Sequence, residues 1–111
     1  MAAELTVIWW RDIPAQVVVR SGRTSARAQL PNRFQEAIDM AATRVGLIGT
    51  DDYLAEWRRE TRGCGDDLDA EAAAEAGRLE QAYDDAAIDA LVRAGGVAEA
   101  PSGIESGEEA P

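Results

Sequence analysis

The run "LTVIWWRDIPAQVVV", residues 5–19, does most to limit what this chain can fold into. Two apolar segments rich in β-branched and aromatic residues flank one short polar break, the pattern of paired strands. Over residues 4–10, alternation sends Leu5, Val7 and Trp9 to one side and Thr6, Ile8 and Trp10 to the other, so both sides are largely apolar. Residues 16–20 repeat this, with Val17, Val18 and Val19 in a row. Pro14 has no N–H to give a ladder and Asp12 disfavours strand, so "RDIPA" reads as a turn or the start of an edge. "SGR" at 21–23 turns the chain again, and "TSARAQL" at 24–30 is a third strand with Ala26, Ala28 and Leu30 alternating against polar neighbours. A ribbon apolar on both sides needs cover on both, since each large side chain left in water forfeits about 1.5–3 kcal/mol.

Helical spacing begins after Pro31. Asn32 with Gln35 three residues on has the form of a capping box, and Phe34, Ile38, Ala41 and Val45 share one face up to Gly46. Thr50 caps a second helix over 50–62, with Asp51 and Asp52 in its first turn, Tyr53, Leu54 and Trp57 as its stripe and Arg58, Arg59 and Arg62 toward its end. "RGCGDD" is a break. A third helical region runs from Asp67 to Ala94 with Leu79, Tyr83, Ala87 and Leu91 in line, and an internal restart at Asp84 or Asp85 would make it two helices. Gly95 and Gly96 stop it. The pattern predicts a small α+β domain over 1–95: a two- or three-stranded antiparallel sheet followed by three or four packed helices. Residues 96–111, acidic and punctuated by Gly and Pro, read as a disordered tail.

Charge is distributed unevenly. The net charge is −10 over 111 residues, yet residues 1–62 sum to +1 and residues 63–111 to −11. Between residues 11 and 33, Arg11, Arg20, Arg23, Arg27 and Arg33 face only Asp12. Such a balance opposes binding of a polyanion, so nucleic acid is not an expected partner. The chain has no run of about twenty apolar residues and its start lacks a basic n-region with a cleavage site, which predicts no membrane span and a cytoplasmic location. Cys64, the single cysteine, permits no internal disulfide and fits a reducing compartment.

With no His and one Cys, the common nucleophile–base pairs and zinc sites are mostly closed to this chain, and no cofactor or metal is expected. Cys64, between glycines and without a cation beside it in "GCG", reads as an incidental loop thiol. "DDLDAE" at 66–71 lacks the glycine and closing glutamate of a calcium loop and suits a helix N-terminus better. "SGRTSAR" is no phosphate-binding loop and reads as a polar hairpin.

Three blocks in order, "WWRDIPAQVVV", "LPNRFQEAIDMAA" and "DDYLAEWRR", resemble the small bacterial virulence factor family, whose domain is also found within the conserved virulence factor C protein. The resemblance covers roughly residues 4–94 and brings no catalytic residues with it. It implies an accessory role, with a link to folate- or corrinoid-dependent one-carbon metabolism.

The residues therefore point to a non-enzymatic protein-binding or accessory module. The Ala-rich third helical region has little reach, so one side of the sheet is left for a larger protein partner or for a second copy in a homodimer. The predicted contact residues are Trp9, Trp10, Arg11, Arg20 and Arg23, with Asp12 and Pro14 setting the turn. The alternative is a small enzyme or carrier for an anionic metabolite, with Asp12, Asp39 or Tyr53 as acid or base and Arg11 as the anion clamp.

Overall fold

The computed structural model describes residues 3–98. The chain forms β1 (Ala3–Trp10), β2 (Ile13–Ser21), β3 (Thr24–Gln29), α1 (Asn32–Arg44), α2 (Asp51–Ala55), β4 (Trp57–Cys64), α3 (Leu68–Ala82) and α4 (Asp85–Arg93). All neighbouring strands are antiparallel, in the order β3-β2-β1-β4, and the helices complete an α+β fold. The sheet has four strands rather than the expected two or three.

The fourth strand replaces the second half of a predicted helix. Thr50 caps α2 as expected, its hydroxyl accepting from the Tyr53 N–H, but α2 ends at Ala55 and residues 57–64 run along β1. The reason is tertiary: β1 presents an open row of N–H and C=O groups on its outer side, and "WRRETRGC" satisfies it. Charges on both sides of this edge strand hide the two-residue period, and Gly63 disfavours helix. Arg58, Arg59 and Arg62 therefore lie on a strand rather than at a helix end, and Leu54, expected in a buried stripe, is 65% exposed.

Pro14 lies within β2, one residue before a bulge. Ile8 pairs with Gln16 while Trp9 pairs with Pro14, so Ala15 is the extra residue that lets β2 pass a proline. The capping box at Asn32 does not form; Pro31 is the cap residue, and its carbonyl accepts from Phe34 N. The long third helical region is two helices, with Asp67 capping α3 and Asp84 capping α4. Gly95 (φ +74°) and Gly96 (φ +93°) close α4, with Gly95 N bonded to Val92 O and Gly96 N to Leu91 O. Of the tail expected from residue 96, Gly96 is buried while Val97 and Ala98 are exposed; residues 99–111 lie outside the described residues.

Most of the core lies on one side of the sheet, with Trp10 and Ile13 joining it at the end near the β1–β2 turn. Leu5, Val7, Val17, Val19 and Ala26 meet Phe34, Ala37, Ile38 and Ala41 of α1, Ala72, Ala76 and Leu79 of α3, and Ile88 and Leu91 of α4. Alanine on α1 and α3 brings those helices close to the strands, α1 over β2 and α3 over β2 and β3.

Candidate functional site: an open arginine-bearing sheet face

The two-residue turn between β1 and β2 puts Arg11 in the left-handed region, φ 53°, at a cost of about 1–2 kcal/mol for a residue with a Cβ. Its surroundings hold it there. Arg11 N donates to Glu56 O at 3.1 Å, its Nη1 to Gly95 O at 3.0 Å, and its Nε lies 3.3 Å from the Glu56 carboxylate. Asp12 N donates to Gly96 O at 2.8 Å, and the Asp12 carboxylate accepts from Ala98 N at 2.6 Å and from Arg58 at 3.3 Å. Arg58 Nε in turn donates to Arg11 O at 2.9 Å. The turn thus clasps the end of α2, the start of β4 and the chain leaving α4.

Trp10 belongs to the same clasp. Alternation would carry it after Ile8 onto the side of the sheet away from the core, yet it is fully buried. Its ring lies 5.7 Å from that of Tyr53, its Nε1 donates to Tyr53 O at 2.9 Å, and the backbone of Gly96 sits against its ring edge. The Arg11 guanidinium covers it at 5.2 Å. Trp9 faces the helices, half-buried, with Tyr83 edge-on at 6.1 Å and Arg58 over its ring at 4.9 Å. Of the two indoles expected among the contact residues, Trp10 is enclosed and Trp9 is half-buried against the helices.

Residues proposed for chemistry do not converge on a site. Arg11 and Asp12 are bound within the clasp, and Asp39 is exposed on α1, where its carboxylate accepts from Gln35. Burial, and then the Asp39 charge, raise the Tyr53 hydroxyl above its ordinary pKa, which makes it a weaker acid. Partial burial, and then Asp12, do the same to Tyr83, partly offset by Arg58. Cys64 ends β4 rather than lying in a loop, and its thiol is raised by desolvation first and by Glu71 next. Asp67 of the acidic run accepts from Ala70 N as a helix cap, and among the described residues no cluster of three or more His, Cys, Asp or Glu side chains could hold a metal.

What stands open is the other side of the sheet, away from the end that α2 closes over Trp10. Strand register assembles it in rows: Gln29, Gln16, Ile8 and Arg59; then Arg27, Val18, Thr6 and Thr61; then Ser25, Arg20, Glu4 and Gly63. Arg20, Arg27 and Arg59 are exposed, and none has a carboxylate within ion-pair distance among the described residues. Between them Ile8 is half-buried and Val18 is 7% exposed, while the Thr6 and Thr61 hydroxyls bond at 2.9 Å. A shallow cavity of about 260 Å³ lies over these residues. Arg20, one of the predicted contacts, is on this face, and Arg23 occupies the β2–β3 turn at its end. Arg27 and Arg59 are functional candidates that sequence reasoning missed. The alternation of β3 carried the signal for Arg27, whereas Arg59 was hidden by the helical reading of its segment.

The virulence factor family model matches residues 8–92. The chain belongs to the virulence factor family. No curated protein and no solved structure matches it. In this virulence factor family member the matched segment includes Arg20, Arg27 and Arg59, together with Ile8 and Val18 between them. The family name assigns no reaction to any of these residues. No helix among the described residues is long and apolar enough to cross a membrane.

Proposed function

We propose that this virulence factor family member is a protein-binding module, an accessory chain that docks on a larger protein through the open face of its sheet. One observation carries the reading: a four-stranded sheet covered by helices on one side presents, on the other, an apolar floor at Ile8 and Val18 bordered by three arginines without carboxylate partners among the described residues. Exposed arginines around a small apolar patch are favoured at interfaces, because the guanidinium pairs with carboxylates while its stem covers apolar surface. A two-fold dimer through this same face is disfavoured, since it sets arginines against arginines.

The test places a photoreactive residue at Gln16, in the middle of the face, and another at Asp39, on the exposed side of α1. In native extract the full chain carrying it at Gln16 is expected to give a discrete adduct with another protein, which the Asp39 position does not give and which Ile8→Asp abolishes while circular dichroism stays unchanged. Equal labelling from both positions, an adduct insensitive to Ile8→Asp, or an adduct of twice the chain's own mass defeats the reading.

A further inference from the structure

We infer that the occupant of this face is an acidic amphipathic helix of the partner protein, its carboxylates on Arg20 and Arg27 at one side and on Arg59 at the other, with an apolar side chain over Ile8 and Val18. The inference rests on the docking reading and specifies its partner. Arg20 and Arg27 lie on neighbouring strands one row apart, so their Cα atoms are about 8 Å from each other, and Arg59, on the far edge strand, is about 16 Å from either, given the usual strand spacing and rise. A span of ~16 Å is about three turns of helix, so two groups of carboxylates separated by three turns meet both sides at once. Ile8 and Val18 lie between the two sides, where such a helix carries its apolar residues.

Charge selects acid over base in this partner. Glu4, beside Arg20, is the one carboxylate among the face residues described, whereas the chain as a whole is −10. A cationic segment would be drawn elsewhere on the molecule. Open antiparallel sheets also take up single-stranded RNA, but they do so by stacking bases on exposed aromatic rings; these three rows hold none, and in the row that flanks them Trp10 is enclosed and Trp57 is half-buried with Tyr53 edge-on at 6.2 Å. The overall negative charge works further against a long polyanion than against a short helix with a few carboxylates.

The probe is a synthetic helical peptide of about twenty residues, long enough to hold its helix, with glutamates in two groups three turns apart around a leucine centre. Fluorescence anisotropy on the full chain is expected to show binding that falls about tenfold or more when the glutamates become glutamines, when the chain carries Arg27→Gln with Arg59→Gln, or when salt is raised. Equal binding of the glutamine peptide overturns the inference, as does tighter binding of single-stranded poly(U). So does a large gain in peptide affinity in the full chain carrying Glu105→Gln, Glu108→Gln and Glu109→Gln, which would mean that the chain's own carboxylates occupy the arginines. If the Gln16 adduct persists in the Arg27→Gln, Arg59→Gln chain, docking stands and its acidic chemistry fails. If no Gln16 adduct forms with the native chain, the docking reading itself fails.

Discussion

Trp9 and Trp10 are neighbours in sequence with different duties. Trp10 is enclosed and its indole N–H is bonded to Tyr53 O, whereas Trp9 is half-buried and its Nε1 has no partner among the described residues. Leaving a buried donor unpaired carries a desolvation cost, so removing that donor offsets part of the area lost. Trp10→Phe is therefore expected to lower stability by about 1–3 kcal/mol in urea unfolding and Trp9→Phe by less. Equal losses, or the reverse order, would refute this division of roles. The sequence made the tandem indoles conspicuous but said nothing of which one carried a hydrogen bond, because the acceptor, Tyr53 O, lies 43 positions away along the chain. Arg11 teaches the same lesson. It reads locally as a surface cation beside Asp12, and its partners, Glu56 and Gly95, come from distant segments.

Elements with strong local signals were legible. The first three strands follow from β-branched runs and turn residues, the end of α4 from its glycine pair, and α1 from its apolar spacing after Pro31. The restart in the third helical region was visible as two adjacent aspartates but not decided between them. Asp84 takes the cap position, its carboxylate accepting from Ala87 N at 2.9 Å, while Asp85 is in the first turn. Thermal or chemical unfolding is expected to show a loss of about 1 kcal/mol for Asp84→Ala and a smaller one for Asp85→Ala. A larger loss at Asp85 would move the cap. The element that local reasoning lost is β4, in which charged residues on both sides erase alternation and only pairing with β1 fixes the extended form.

At the scale of the whole molecule the decisive asymmetry is between the two sides of one sheet. Val17 and Val18 are consecutive on β2, the first facing α1 and α3 and the second facing outward among arginines and threonines. Val17→Thr places a hydroxyl in the core and is expected to cost about 1–3 kcal/mol, while Val18→Thr, beside a polar and partly wet surface, costs less than half as much, as read by urea titration. Equal costs would mean that the cover over Val18, which is 7% exposed, is as dry as the core over Val17. By itself the sequence determined the α+β class, the strand pattern of the first thirty residues and the need of a doubly apolar ribbon for cover, since these follow from side-chain alternation and chemistry close by in the chain. Only the tertiary structure decided that Trp10 is shielded by α2 and the Gly95–Gly96 turn, that Arg58–Arg62 belong to a fourth strand, and that Arg20, Arg27 and Arg59 share a face. Register across four strands and closure of distant segments over a turn are set by which groups find partners, and no short window of sequence contains both members of those pairs.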